Sequence, residues 1–392
     1  MRRTTKLSVL LGASILVCAV SLACGRSEST PTPPATPAPP TVATPTPPTT
    51  PTTPTTPTPP ATPTPPTPTK APEETFAQKV AKSRPLTPTT APQVALGRQI
   101  RAVRCTMPGV ELLSDSSFDS IGRIEMGTDG KLYALDADHR IMRFDVAGEG
   151  DTCTLTLDQT FGTAGRLNPG RDIKEIAAVA GNRIIASNGI FNSYRLTNGA
   201  VDIDCSGGGG YLAASADGRL AIGHFANSAL KRVTWTDTLC QVEEWSAFRS
   251  PFTNVNTVSF VGRDIAIGGV LDTPADSDPR VVIVFDQNGR ERYRAGNTAE
   301  GFGDDRFGWV HAIEQCGPNL CVVDSNFRRL SVWNPRGEFQ GAVRLGDLLG
   351  LDYPWIPDLE MVRNVAYVPA TQQRERTGVY EGAIYRVFGL VP

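Results

Sequence analysis

An all-β fold assembled from repeated four-stranded antiparallel units is what this 392-residue sequence predicts, and three observations carry it. From about residue 98 onward no helix-period segment of useful length occurs. Short apolar or alternating runs are broken instead by Gly, Asn and Asp, the pattern of many short antiparallel strands. A strand core recurs: KLYALDA from Lys131, NRIIASN from Asn182, GRLAIGH from Gly218, RDIAIGG from Arg263, NLCVVDS from Asn319 and NVAYVPA from Asn364. The starts lie 51, 36, 45, 56 and 45 residues apart, room for four strands and their turns. A following strand recurs with it, as RIMRFDV, ALKRVTW, RVVIVFDQNG, RRLSVWNPRG and GAIYRVF. Six such units predict a six-bladed β-propeller over residues 98–392.

In chain order, the first element is an export leader. Arg2, Arg3 and Lys6 precede an apolar run over 7–23, shorter than the roughly 20-residue apolar span with suitable flanks that crosses a bilayer. The run ends in Val20-Ser21-Leu22-Ala23-Cys24, which resembles the cleavage box of bacterial lipoproteins. The resemblance implies a signal peptide over 1–23 and lipidation of Cys24. With Gly25 rather than Asp beside the anchor, it also implies the outer membrane, facing periplasm or surface. Two or three acyl chains on one cysteine hold stably where a single chain binds only marginally.

Residues 24–72 read as a disordered tether. Between 31 and 69 there is no charge, only Pro, Thr, Ala and one Val, and 18 of the 33 prolines fall there. Such a segment cannot bury enough apolar surface to offset its ordering entropy. Proline favours polyproline II, so the stretch reaches roughly 120 Å at about 3.1 Å per residue. Residues 73–97 lead into the domain, and EETFAQKVAK predicts a short amphipathic helix with Phe76 and Val80 on one side.

Within the repeats, residues 301–341 (GFGDDRFGWVHAIEQCGPNLCVVDSNFRRLSVWNPRGEFQG) resemble an NHL-type repeat. Residues 161–188 repeat its lead, and residues 126–145 match its hairpin. The resemblance implies propeller architecture, and a propeller hosts many chemistries. The chain ends just after the third strand of the sixth unit, and an exposed strand edge invites aggregation. The alternating segment RQIRAVRCTM, 98–107, is therefore expected to supply the missing strand, beside the one that contains Ile384 and Tyr385.

Beyond Cys18 and Cys24 six cysteines remain, an even set that in an exported protein suggests three disulfides. Cys316 and Cys321 flank a hairpin turn and are expected to pair. Sequence order suggests Cys105 with Cys153 and Cys205 with Cys240. No CxxC and no Cys/His cluster at zinc spacing occurs.

Charge excludes one class of partner. Residues 71–392 carry 33 Lys and Arg against 39 Asp and Glu, whereas nucleic-acid binders need a basic excess. No nucleophile or phosphate-loop motif appears, so no catalytic residue is assigned.

The first strand of each blade lines the axial channel of a propeller, which makes its polar residues the site candidates. They are Arg123, Glu125, Lys174, Glu175, Asn256, His311, Asp358 and Glu360. Trp309 and Trp355, beside Tyr353 and Pro354, are candidates for a ligand-binding face, while Trp235, Trp245 and Trp333 fit inter-blade packing. The expected function is non-catalytic: a membrane-anchored binding or scaffold propeller of the cell envelope, recognising a protein or a glycan, with no cofactor. The alternative is a metal-dependent hydrolase or lyase with calcium or zinc held in the channel by Glu125, His311, Asp358 and Glu360. The acidic loop with Asp272, Asp276 and Asp278 is a further, weaker calcium candidate.

Overall fold

Strands with apolar residues on both faces belong between other sheets, and the second strand of each unit has that character: all of Leu132–Asp136 is buried. The computed structural model describes residues 75–82, 94–95 and 99–391, apart from short breaks at 117–119, 190–191, 199, 208–209, 217, 219, 225–229, 246–249, 273–279, 297–304 and 375–376. The leader, Cys24 and the Pro/Thr tether lie outside the described residues, as do Asp276 and Asp278.

The fold is an all-β propeller of four-stranded antiparallel blades. Blade one runs Ile121–Met126, Leu132–Asp136, Ile141–Ala147 and Thr154–Leu157, and the short strand Arg166–Leu167 adds to the edge of Ile141–Ala147. Blade two is Glu175–Ala180, Arg183–Ser187, Asn192–Thr197 and Ala200–Ser206. Blade three is Leu212–Ala214, Leu220–His224, Leu230–Trp235 and Cys240–Glu244. Blade four is Phe252–Val261, Asp264–Leu271, Arg280–Phe285 and Glu291–Ala295. Blade five is Val310–Cys316, Asn319–Asp324, Arg329–Trp333 and Phe339–Arg344.

Six equal units are therefore not what is built: five blades are drawn from consecutive strands, and one further sheet takes strands from both ends of the described chain. Its order is Val94–Ala95, Gln99–Arg104, Val379–Phe388, Val365–Arg374, Glu360–Val362. Arg101 lies opposite Phe388 and Arg104 opposite Tyr385, and the Cys105 amide donates to the Ile384 carbonyl at 2.8 Å. The pairing covers the edge that the C-terminal strand would otherwise expose.

Apolar side chains fill the space between adjacent sheets. Trp333 is wedged between Phe307 and Phe339, ring centroids 5.2 and 5.1 Å away, and Trp235 and Trp245 are buried likewise. Disulfides join Cys105 to Cys153, Cys205 to Cys240 and Cys316 to Cys321. The first ties the chain just past Gln99–Arg104 to blade one, and closing long loops constrains the unfolded chain most.

The short helix Phe76–Lys82 is opened by a capping box: the Thr75 amide donates to Gln78 Oε1 at 2.9 Å, and the Gln78 amide to Thr75 Oγ1 at 3.4 Å. The packing of Phe76 and Val80 lies outside the described residues. A second helix, Leu345–Leu349, has no sequence signal, since five residues are too few for a helical period to show. It buries Leu345, Leu348 and Leu349 and stops at Gly350, whose φ of 66° suits glycine.

Candidate functional site

The innermost strand of a blade has one paired edge and one edge facing the axis, where its N–H groups need acceptors. Here carboxylates from the next sheet round supply them. Asp358 Oδ2 accepts from the Ile124 amide at 2.9 Å, Glu360 Oε1 from Met126 at 3.2 Å, and Glu175 Oε2 from Leu212 at 2.8 Å. Arg123 knits the same groups together. Its guanidinium donates to the His311 and Pro357 carbonyls at 3.2 and 2.8 Å, to Asp358 at 3.2 Å and to Glu175 at 3.3 Å.

These side chains surround an axial cavity of about 480 Å³ to which all six innermost strands or the residues flanking them contribute. Arg123, Glu125, Glu175, Asp358 and Glu360 are brought together there, with Glu314, Ser259 and Tyr211 joining them. Ser259 Oγ lies 3.4 Å from Glu314 Oε1.

The carboxyls repel one another in a poorly solvated space. Burial pushes Glu360 up to about 8, with Asp358 adding to the rise. Burial and then Glu360 raise Glu125 and Glu314 well above the usual carboxylate range. Burial also raises Glu175 and Asp358, although Arg123 opposes it in both. For Arg123 burial disfavours the charge, but Asp358 and Glu175 outweigh it and its pKa rises. His311 is held down to about 3 by burial and by the Arg123 charge, so its ring is neutral at physiological pH.

Three sequence candidates do not line the cavity, each for a local reason. Lys174 stands just before its strand and points outward, Nζ 3.2 Å from Asp172 and 2.9 Å from His139 Nε2. Asn256 is the extra residue of a bulge between Val255 and Thr257; it is 2% exposed, and among the described residues its side-chain amide has no hydrogen-bond partner. A second bulge, between Val310 and Ala312, turns the His311 ring edge-on against Trp355 at 4.6 Å and brings Glu314 to the cavity. A bulge flips the two-residue alternation, so position along the strand does not by itself say that Glu314 rather than His311 meets the cavity.

Among the described residues no three His, Cys, Asp or Glu are arranged to hold a metal ion. Asp358, Glu360 and Glu175 accept from backbone amides, Asp358 and Glu175 also from Arg123, and Glu314 from the Ser259 hydroxyl.

A second candidate region is displayed outward. Tyr353 is 77% exposed, and the Arg328 guanidinium stacks 4.1 Å from its ring centre. Both residues have positive φ, 53° and 51°, a backbone strain that persists only where surrounding structure imposes it. Next to them, Trp355 is tied by mutual backbone bonds to Thr371 at 2.9 and 2.8 Å. Trp309 is more enclosed, with the Arg280 guanidinium 5.7 Å from its ring.

No family model matches the chain, and no curated protein matches it. Among solved structures it is similar to a chain described as "Crystal Structure of Mitotic Checkpoint Complex", with a TM-score of 0.44 and 10% identity over 77% of this chain and 89% of that one.

Proposed function

We propose that this protein is a non-catalytic binding propeller of a bacterial cell envelope, lipidated at Cys24, held off the outer membrane by the 24–72 tether, and recognising a protein or glycan partner. In this reading the five blades and the shared sheet form one closed six-bladed, NHL-like ring. Support comes from the innermost strands, which neighbour one another in turn from Ile121–Met126 through the blades to Glu360–Val362 and back.

One observation carries the binding role: Tyr353 is held exposed in a strained backbone, stacked on Arg328 beside Trp355. Tyr, Trp and Arg dominate the energetics of protein interfaces, and a partner can desolvate this ring-guanidinium pair at once. Arg123, by contrast, is fully engaged in holding the ring together. The full-length chain and its Tyr353→Ala and Arg328→Ala variants should therefore melt alike. The wild type is expected to retain a specific envelope partner through cross-linking and purification, and the variants to lose it. Equal recovery with all three would remove this face from the function. Radiolabelled palmitate is expected on the wild type and absent from Cys24→Ser; label on both would refute the anchor.

A further inference from the structure

A third region belongs neither to the channel nor to the Tyr353 face. A cleft of about 770 Å³ opens between blades one and two, large enough for one or two sugar rings. Among the described residues its wall holds three arginines, Arg140, Arg143 and Arg166, and no carboxylate. Two compensating acids sit behind them, Asp136 and Asp158, buried at 6% and 8%, while a third, Asp138, is 69% exposed and pairs with Arg140; the three arginine side chains keep 35%, 21% and 26% of their surface. At Arg143 and Arg166, whose paired acids are buried, a ligand meets positive charge.

We infer that this cleft binds an acidic sugar, its anionic group held by Arg166 beside Arg140 and Arg143 and its ring set against Phe161. Arg140 is held by Asp136 and by Asp138, both at 2.7 Å, and Arg143 by Asp158 at 2.8 Å. Arg166 has only its Nε near Asp136, at 3.4 Å, and among the described residues its terminal nitrogens make no hydrogen bond. A planar fork with two idle donor nitrogens matches a carboxylate or phosphate.

The turn that carries Arg166 is preorganised. Thr163 and Arg166 exchange backbone bonds of 2.8 and 3.2 Å around Ala164 and Gly165, whose φ values of 51° and 81° are those of a type I′ turn. Gly162 precedes it with a φ of 57°, and a Cβ there would stand 2.2 Å from the Arg166 carbonyl oxygen. Binding therefore needs little ordering of this turn, a saving that goes into affinity. Phe161 meets the edge of Tyr133 at 5.7 Å, and Arg143 covers part of its ring at 4.6 Å. The Asn168, Asn182 and Asn198 amides add donors and acceptors, as sugar hydroxyls require.

The test titrates the full chain at low ionic strength with glucuronate, glucose 6-phosphate, glucose and inorganic phosphate, read by calorimetry. Saturable binding is expected for glucuronate, glucose 6-phosphate or both, which separates a uronic acid from a phosphosugar. It should be about tenfold or more weaker for glucose and for free phosphate, in line with one lost charge-assisted contact. Arg166→Gln should weaken the acidic sugar about tenfold without moving the melting curve, and Asn182→Asp, which sets a carboxylate at the mouth, should do the same if the first variant misfolds. No binding of either acidic sugar overturns the inference, as does binding of glucose or phosphate alone at equal strength, or binding that neither substitution weakens. Loss of the Tyr353-dependent partner would leave this result untouched.

Discussion

The axial channel and the cleft between blades one and two are both built from charged side chains, yet they do opposite work. The channel gathers five carboxyls and two arginines, and its deeper arginine, Arg123, is taken up by four acceptors. The cleft gathers three arginines, with Asp136 and Asp158 tucked behind them and Asp138 exposed beside Arg140. The difference lies in what each charge faces. In the channel Asp358, Glu360 and Glu175 are turned to orphan amides at blade edges, so these groups serve the fold. In the cleft Arg166 is positioned by a tight turn and faces open volume. A conspicuous charge cluster is thus not the better candidate for recognition; the better one is the group whose donors the fold leaves idle.

That contrast can be broken by experiment, most strongly at Arg123. Arg123→Met leaves Glu175 and Asp358 without their cation, and breaking a buried pair in this way costs about 3–5 kcal/mol. Chemical denaturation at pH 8 should show that loss, and a change below about 1 kcal/mol would mean that the channel is not held together as described.

The next effect concerns pH. Glu360 sits at about 8 in the folded protein, above its ordinary value of 4.5, so the folded state binds protons that the unfolded chain has released. Stability from this group is fully present below pH 4.5 and is lost as pH rises through about 8. His311 works in the opposite sense, because its depressed value of about 3 costs stability as pH falls below 6.5. Between pH 6.5 and 8 the channel glutamates act unopposed by His311, and the melting temperature should fall by several degrees. Glu360→Gln should flatten that slope and raise stability at pH 8. An unchanged slope would place the protons elsewhere.

The smallest expected effect sharpens the other side. Arg166→Gln should change stability by less than about 0.5 kcal/mol, since the side chain is partly exposed and weakly paired. A loss several times larger would make the cleft structural too and erase the distinction.

Much of this molecule was legible along the chain. The recurrent LYALDA, IIASN and CVVDS cores identified the second strands because their residues are buried on both faces, and a composition-level signal of that kind survives any register. The alternation in RQIRAVRCTM marked a strand, and Cys316 and Cys321 marked a hairpin staple. Those are local properties, set by side chains within a few residues of one another.

The site needed the folded chain. Bulges at Val255/Thr257 and Val310/Ala312 reverse which residues face the axis, hiding Asn256 and admitting Glu314, and nothing in residue parity announces them. Arg123 meets Glu175 and Asp358 from positions 52 and 235 residues away, and Arg166 gains its cleft from the turn at Asn182 in the next blade. Strand identity is a short-range property of hydrophobic pattern; the meeting of charges is a long-range one, fixed by blade packing and by the hydrogen bonds each inner edge must find.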